Sequence, residues 1–308
     1  MGNDPWSVPT LELLADAADV DVGLVVTNPP RAAGRGSTFR STAVATSALR
    51  LGLDVRDADG LGSTDDVRAI ERSRSDAIVV VAYGELLDAH VLGLPRLGTL
   101  NLHFSRLPRW RGASPVQRAI LEGDDVTGVS VMLLDEGLDT GPVLAFMPEP
   151  IEPEDDAGSL GERLADLGAR LVLDSLRALD AGTATLEPQD PAGATYAPKL
   201  RTEDRTIDWT LTAEQIVRRV RASAPTPGAT TTFRGKPLKV LCSEARPAPH
   251  DLSDHAPGEV VVDPDGVPVV ATARGAVALL EVAPAGRAHM SGAEWARGAR
   301  IEQGERCT

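Results

Sequence analysis

The chain has 308 residues, of which 42% are hydrophobic, and a formal net charge of −14 at pH 7. It contains no apolar run of about eighteen residues that could cross a membrane and no secretory signal pattern, and its acidic balance by itself argues against a nucleic-acid partner. Five scattered histidines and two distant cysteines give no zinc-ligand spacing, so we expect no metal, reduced cytoplasmic thiols and, by default, a monomer.

The first part of the chain alternates between strand and helix patterns. Strands are predicted at 21–26, 75–81, 98–103 and 128–134, and helices at 41–52, 85–92, 114–122 and 156–179. Alternating β and α units are typical of a mostly parallel sheet that helices cover on both faces. The sequence therefore predicts an α/β fold, with a Rossmann-like domain over residues 1–187.

The pattern changes after this domain. Residues 188–199 are rich in proline and glycine and predict a linker. Short strand patterns then dominate, at 228–233, 238–241, 258–262, 267–272 and 276–282, with helices at 212–222 and near Ala293. Arg234-Gly235 and Asp265-Gly266 are typical of hairpin turns. Residues 200–308 are therefore predicted to form a small OB-like β-barrel.

Positive charge is concentrated in three segments despite the acidic total. Residues 27–53 hold four arginines and no acid, and residues 89–121 hold five arginines and no acid. Residues 199–239 hold nine lysines and arginines against four acids. Such segments can present a basic face to a polyanion, while chance clustering on solvated faces is the other interpretation.

A polar pair ends the predicted strand at 98–103. Asn101 and His103 are separated by one residue, so their side chains point to the same face of a strand. Open α/β sheets place their ligands at the carboxyl ends of parallel strands. An amide N–H and a protonated imidazole can both donate to an oxygen that gains charge in a tetrahedral intermediate, as acyl transfer requires. A polar pair with a purely structural role remains the alternative.

A carboxylate for this site is predicted in the glycine-rich loop that contains Asp139. A carboxylate beside His103 would favour the charged imidazole and could accept a proton from an attacking amine. Asp135 and Glu136 lie nearby and compete for this role. The chain has no Gly-x-Ser-x-Gly motif, and neither cysteine is close to a histidine in sequence, so we expect no covalent enzyme intermediate.

Several short motifs surround this candidate site in the sequence. They are Asn101-x-His103, Leu107-Pro108-x-x-Arg111-Gly112-x-x-Pro115, Asp139-Thr140-Gly141 and the neighbouring segment 81–84. Together they resemble the folate-dependent formyltransferases. Further segments resemble the members of that family that act on initiator tRNA, namely 2–9, 30–36, 111–118, 196–200, 207–209, 225–228 and 236–239. The resemblance covers essentially the whole chain.

The resemblance implies transfer of a formyl group from 10-formyltetrahydrofolate to the α-amine of methionine on initiator tRNA. It implies that Asn101 and His103 stabilise the oxyanion and that Asp139 orients and charges His103 and helps to move the proton. The residues expected to contact folate are Val81, Ala82, Tyr83, Gly84, Leu86, Leu87, Leu107, Pro108, Leu133, Leu134, Asp135 and Gly137. Those expected to contact tRNA are Arg35, Arg40, Arg109, Arg111, Lys199, Arg201, Arg218, Lys236 and Lys239.

The chain also departs from the family pattern, and two other functions stay open. It begins at the family's first loop, where the family has a preceding strand, so we expect the native start to lie upstream. Phe104 and Arg106 stand where small and aliphatic residues are common, and segment 37–39 stands where lysines are common.

The open alternatives are formyl transfer to a small amine such as a sugar nucleotide, and a non-catalytic RNA-binding module. The loop at 28–40 and the basic segment at 199–239 favour tRNA.

Overall fold

A computed structural model describes residues 1–32, 39–61, 63–247, 256–302 and 304–308. Its strands are β1 (Val25–Thr27), β2 (Arg31–Ala32), β3 (Phe39–Arg40), β4 (Val55–Asp57), β5 (Ile78–Val81), β6 (Thr99–His103), β7 (Val126–Leu133), β8 (Val143–Pro150), β9 (Ala229–Phe233), β10 (Lys236–Arg246), β11 (Val260–Val262), β12 (Pro268–Ala271), β13 (Ala276–Pro284) and β14 (Met290–Ser291). Its helices are α1 (Val8–Asp16), α2 (Ala43–Arg50), α3 (Thr64–Ser73), α4 (Ala89–Leu92), α5 (Pro115–Glu122), α6 (Ala157–Asp180), α7 (Thr202–Arg205), α8 (Ala213–Ser223) and α9 (Gly292–Ala299).

The chain divides into two compact units. The first consists of Met1–Pro115, Val126–Pro150 and Gly161–Pro198, and the second of Val116–Asp125, Ile151–Leu160 and Lys199–Thr308. Within the described ranges, no helix is long and apolar enough to cross a membrane. The predicted domain boundaries at 187 and 200 stay a prediction.

The first unit contains a four-stranded sheet in the order β5-β6-β7-β8 and a separate parallel pair, β1 and β4. Strands β5 and β6 are parallel, whereas β7 is antiparallel to both of its neighbours. The last two strands run antiparallel because the short loop 134–142 joins them directly, and a parallel pair would need a longer crossover. The predicted fold class, parallel strands with helices followed by a separate antiparallel unit, is confirmed.

Met1 and Gly2 bridge β1 and β5. The Met1 ammonium donates to the carbonyl of Val79 over 2.6 Å, and the amide of Val81 donates to the carbonyl of Met1 over 2.9 Å. The amide of Gly2 donates to the carbonyl of Val26 over 3.1 Å. A cavity of about 470 Å³ lies beside these residues, lined by parts of α1, β1, β5 and the end of α6. The expectation of an upstream start stays a prediction.

Buried β-branched side chains hold the first unit together. Ile78, Val80 and Val26 pack in one cluster with Tyr83 and Val91. Burial of each aliphatic side chain of this kind stabilises the folded state by about 1.5–3 kcal/mol. Strand β5 thereby becomes a fixed support for its neighbour β6, which carries the candidate site.

One sequence prediction in this unit needs correction, and several elements were missed. The helix predicted at 85–92 begins only at Ala89, because the Asp88 carboxylate accepts a hydrogen bond from the amide of Val91 over 2.8 Å and caps the helix there. Gly84, with φ of +83°, belongs to the turn that follows β5. Six further elements, α1, β2, β3, β4, α3 and β8, were not predicted.

The second unit is an antiparallel sheet in the order β11-β12-β13-β10-β9, with β14 beside β13. The last residues of the chain close this sheet. Cys307 bridges to Phe233 of β9, and Thr232 and Thr308 exchange main-chain hydrogen bonds of 2.7 and 2.9 Å. On the other side, the amide of Cys307 donates to the carbonyl of Gly258 over 2.8 Å. The C-terminal residues therefore join β9 to the segment that leads into β11, so that the sheet closes as a barrel.

An apolar core fills this barrel. Ile216 of α8, Val240 of β10 and Leu279 of β13 are each fully buried in it. The indole N–H of Trp209 donates to the hydroxyl of Thr231 over 3.0 Å, so the one polar atom of that ring has a partner when it is buried. The barrel therefore has a core of its own.

Candidate active site

Strand β6 places Asn101 and His103 on one face of the sheet. Val80 of β5 and Met132 of β7 flank Asn101, and Ser130 of β7 lies opposite His103. His103 is buried, with 5% of its surface exposed, whereas Asn101 is partly exposed. Within the described part of the chain, the Asn101 side-chain amide forms no hydrogen bond. Its donors are therefore available to a ligand.

The ring of His103 has a defined orientation. Its Nε2 atom lies 2.8 Å from the carbonyl oxygen of Trp110. Because a carbonyl only accepts, Nε2 carries a hydrogen and donates. The other nitrogen, Nδ1, lies 3.7 Å from Oδ2 of Asp139, which is an ion-pair distance rather than a hydrogen bond. Nδ1 is therefore the nitrogen that faces the predicted carboxylate.

Asp139, and not Asp135, is the carboxylate that reaches His103. Its Oδ2 atom accepts a hydrogen bond of 2.7 Å from the amide of Gly112, and its side chain is 13% exposed. Asp135 instead accepts from the amide of Gly137 and the hydroxyl of Thr140, over 3.0 and 2.7 Å. Asp135 therefore shapes its own loop, and only Asp139 meets the histidine.

Two serines that the sequence analysis did not single out hold the loop after β6. The hydroxyl of Ser130 donates to the carbonyl of Ser105 over 2.7 Å and accepts from the amide of Leu107. The hydroxyl of Ser105 donates to the carbonyl of Arg109 over 2.6 Å. These bonds fix the loop whose Trp110 carbonyl orients His103. No sequence motif marks buried hydroxyls of this kind, because the hydrogen bonds that they form depend on which residues lie across the sheet.

Phe104 and Arg106, two departures from the family pattern, contact aromatic rings. The buried ring of Phe104 lies 5.6 Å from that of Trp6, centroid to centroid. The guanidinium of the exposed Arg106 lies 5.7 Å from the ring centroid of Phe146. Phe104 therefore has a packing role, and Arg106 covers an aromatic face.

Part of the segment predicted as a linker pairs with the site loop. The carbonyl of Thr195 accepts from the amide of Arg111 over 2.9 Å, and its hydroxyl accepts from the amide of Trp110 over 2.9 Å. The amide of Ala197 donates to the carbonyl of Arg111 over 2.7 Å. We name residues 187–197 the strap. The motif at 196–200 was the one sequence signal for it, although the linker boundaries themselves stay a prediction.

The residues predicted to contact folate lie in three places. Val81 is buried at the end of β5, Ala82 and Gly84 adopt positive φ in the turn after it, and Leu86 is 82% exposed. Leu107 and Pro108 lie in the loop after β6, and Leu133, Leu134, Asp135 and Gly137 at the end of β7 and in the loop after it. Leu87 and Leu134 pack against the core cluster that contains Tyr83. Their predicted contact with folate is untested.

Tyr83 and Asn3 connect this turn to the start of the chain. Tyr83 is 2% exposed, and burial, aided by nearby carboxylates such as Glu85, raises its pKa to about 12. Its hydroxyl has no hydrogen-bond partner among the described residues. The Asn3 amide donates to the carbonyl of Tyr83 and accepts from the amide of Asn28 over 2.7 Å. Asn3 was not among the predicted site residues.

The residues predicted to contact tRNA fall in both units. Arg35 lies outside the described residues. In the first unit, Arg40 is exposed, the guanidinium of Arg109 lies 4.2 Å from the ring centroid of Trp110, and Arg111 donates to Gln189. In the second unit, the exposed members are Lys199, Arg201, Lys236 and Lys239. Arg218 of that unit donates to the carbonyl of Glu122 over 3.2 Å.

No group of three histidine, cysteine, aspartate or glutamate side chains suited to a metal is found in the described ranges. The donors at the site are instead an amide, an imidazole and a carboxylate. This set suits acyl transfer to a nucleophile that a substrate supplies.

Family models place this chain in the class of formyl transferases. The family model "Formyl transferase" matches residues 9–176, and the model of its C-terminal domain matches residues 199–300. A solved structure of WlaRD, a sugar 3N-formyl transferase, matches with a TM-score of 0.64 and 15% identity over 93% of this chain and 97% of that one. HypX from Aquifex aeolicus matches with a TM-score of 0.61 and 23% identity over 82% of this chain and 43% of that one. These structures support the fold alone.

Curated relatives narrow the class. A protein of Roseiflexus sp. (strain RS-1) is 44% identical over 99% of this chain and 93% of its own length. A protein of Streptomyces coelicolor is 42% identical over 99% of this chain and 97% of its own length. Both are named methionyl-tRNA formyltransferase. The chain belongs to the methionyl-tRNA formyltransferase family.

Proposed function

We propose that the protein transfers the formyl group of 10-formyltetrahydrofolate to the α-amino group of methionyl-initiator-tRNA. The observation that carries this proposal is the 42–44% identity to proteins of that name over 99% of the chain. The meeting of His103 with Asp139 at the end of β6 supports it independently, because it supplies the groups that such a reaction needs. The product would be N-formylmethionyl-tRNA, which is used to begin protein synthesis.

The side chains take distinct roles in this proposal. The substrate amine attacks the formyl carbon, a C–N bond forms, and negative charge grows on the formyl oxygen. The Asn101 amide and the Nδ1–H of a protonated His103 donate to that oxygen. Asp139 stabilises the charged imidazole and accepts the proton that the amine loses, which is returned to the folate nitrogen as its bond to the formyl carbon breaks. No group on the enzyme becomes acylated.

The buried environment makes these donors effective. His103 and Asp139 are 7% and 13% exposed in their side chains, and a hydrogen bond to a developing charge is stronger where water is excluded. The Trp110 carbonyl, by fixing Nε2, leaves Nδ1 as the donor toward the site. The imidazole is therefore oriented before a substrate arrives.

The binding surfaces follow the same proposal. Folate would lie against the turn after β5 and the loop after β7, which hold most of the residues predicted for it. The basic residues of both units would contact tRNA phosphates, which requires local and not overall positive charge. A cytoplasmic location and a monomeric state are part of the proposal.

The direct test is formyl transfer by this chain. Purified protein is mixed with 10-formyltetrahydrofolate and methionyl-initiator-tRNA, and formylmethionyl-tRNA is measured over time. We expect His103→Ala and Asp139→Asn each to lower kcat by about 10²–10³-fold, because each removes a group that acts on the transition state. His90→Ala is the matched control, since His90 is an exposed histidine paired with Glu71.

Three results would count against the proposal. Formyl transfer to a sugar nucleotide but not to methionyl-tRNA would support the small-amine alternative. Binding of tRNA without any turnover would support a non-catalytic RNA-binding module. Full activity of the His103→Ala protein would show that His103 does not take part in the reaction.

A further inference from the structure

Gln189 uses the whole hydrogen-bonding capacity of its amide next to the candidate site. Its Nε2 atom donates to the carbonyl of Asp139 over 2.9 Å and to the carbonyl of Gly141 over 2.7 Å. Its Oε1 atom accepts from Nε and Nη2 of Arg111 over 3.0 and 2.8 Å. An amide has two donor hydrogens and two acceptor lone pairs, so none is left over.

These contacts require an amide at this position. Two carbonyl oxygens face one end of the Gln189 side chain, and a guanidinium faces the other. A glutamate would turn a negative oxygen toward the carbonyls, and a lysine would bring a second positive charge to Arg111. Only a neutral group that donates at one atom and accepts at the other satisfies both sides.

The loop that Gln189 holds is one that needs external support. Asp139 has φ of +53°, a backbone conformation that costs a non-glycine residue about 1–3 kcal/mol and persists when surrounding contacts impose it. Gly141 lies so close to β7 that a Cβ atom there would come within 1.8 Å of the Leu133 carbonyl. The carbonyls of these two loop residues are the ones that accept from Gln189.

The other partner of Gln189 leads to the same carboxylate. Arg111 precedes Gly112, whose amide donates to Oδ2 of Asp139 over 2.7 Å. Gln189 therefore ties together the main chain that carries Asp139 and the segment that donates to the Asp139 side chain. Both attachments come from the strap, which is distant in sequence from either loop.

We propose that Gln189 is a positioning residue that fixes the carboxylate of Asp139 against His103. Its side chain contacts the main chain of Asp139 and not its carboxylate, and it acts by holding the two segments that place that carboxylate. This inference deepens the proposed function and rests on it for its kinetic readout, while a second readout below is independent of the substrate.

The first experiment separates binding from turnover. Gln189→Met keeps the length of the side chain and removes all its hydrogen bonds. We expect kcat to fall by about 10–100-fold, because a small misplacement of a catalytic group has effects of this size, while KM for both substrates changes by less than about threefold. Glu187→Gln is the matched control, since it lies on the strap, is exposed and keeps its main-chain bonds to Val143.

A double-mutant cycle then tests the route of the effect. In the Asp139→Ala protein, Gln189→Met should change kcat by less than about twofold, because the group that it positions is already absent. An equal loss of kcat in the unmodified and the Asp139→Ala proteins would overturn the proposal, because Gln189 would then have only a general structural role. A change in KM alone would also overturn it.

Amide hydrogen exchange at Gly112 gives the readout that needs no substrate. In Gln189→Met, we expect this amide to exchange more than about tenfold faster, because its acceptor on Asp139 is no longer held, while amides between β6 and β7 stay protected. Unchanged exchange at Gly112 would overturn the positioning role, whatever substrate the protein uses. If Gly112 responds but the unmodified protein forms no formylmethionyl-tRNA, the proposed substrate is wrong and the positioning role stands.

Discussion

At the scale of single residues, neighbours decide the chemistry of a side chain. The period of two in a strand is a local property, so it predicted that Asn101 and His103 share a face. The sequence did not show that the Trp110 carbonyl holds Nε2, or that Asp139 and not Asp135 lies beside Nδ1. The first relation depends on how the loop after β6 folds back on its own strand, and the second depends on the loop after β7.

Cys307 provides a residue-scale test through pH. Burial raises the pKa of this thiol to about 12, from an ordinary value of about 9. Between these values the unfolded chain loses the proton and the folded chain keeps it, so stability falls as pH rises. We expect the free energy of unfolding to decrease by about 1.4 kcal/mol per pH unit from this group above about pH 9.

The comparison that isolates this effect is between variants. Urea unfolding of the Cys307→Ala protein should give a shallower fall between about pH 9 and pH 10.5 than the unmodified chain. Thr308→Ala is the control, because it alters the neighbouring residue and removes no thiol. Parallel curves for Cys307→Ala and the unmodified chain would contradict the prediction.

At the scale of elements, two irregular segments have clear structural roles. Residues 188–197 of the strap were predicted as part of a linker, yet the strap pairs with the loop that orients His103. The chain end has no strand pattern, yet it closes the barrel. Composition is a poor guide in both cases, because main-chain hydrogen bonds do not depend on side-chain identity.

Removal of residues 306–308 tests barrel closure. The truncation deletes three main-chain hydrogen bonds, two with Thr232 and one with Gly258, and the buried side chain of Cys307. At about 1 kcal/mol for each bond and 1–2 kcal/mol for the side chain, we expect a loss of about 4 kcal/mol. Thermal unfolding should show a clearly lower midpoint. Thr308→Ala keeps the main-chain bonds and should lose little, so an equally large loss in that control would refute the closure.

At the scale of the whole molecule, the distribution of charge matters more than its sum. The net charge of −14 alone argues against a nucleic-acid partner, whereas the three basic segments can present a positive face to a polyanion. The proposed reaction on initiator tRNA requires such a positive face. The exposed Lys236 and Lys239, near the start of β10, belong to the basic segment at 199–239.

Salt dependence of tRNA binding tests this distribution. We expect the affinity for initiator tRNA to fall steeply between about 50 and 200 mM salt, because phosphate contacts release counterions. Combined replacement of Lys236 and Lys239 by alanine should weaken binding and reduce the slope by about 1–2 units in a log–log plot. Arg68→Ala, which removes an exposed arginine of α3, should leave the slope unchanged. An unchanged salt slope in the double variant would show that tRNA does not contact Lys236 and Lys239.

The sequence by itself determined the class of fold, the pair Asn101 and His103, and the family. These follow from local periodicity and from short motifs, both of which are written in adjacent residues. The late start of α4 rests on a local cap by Asp88, which lies three residues before Val91 and was missed in the sequence analysis. The tertiary structure decided the choice of Asp139 and the bonds that Gln189 and the chain end make. Each of these depends on hydrogen bonds between residues far apart in the chain, whose partners no local pattern specifies.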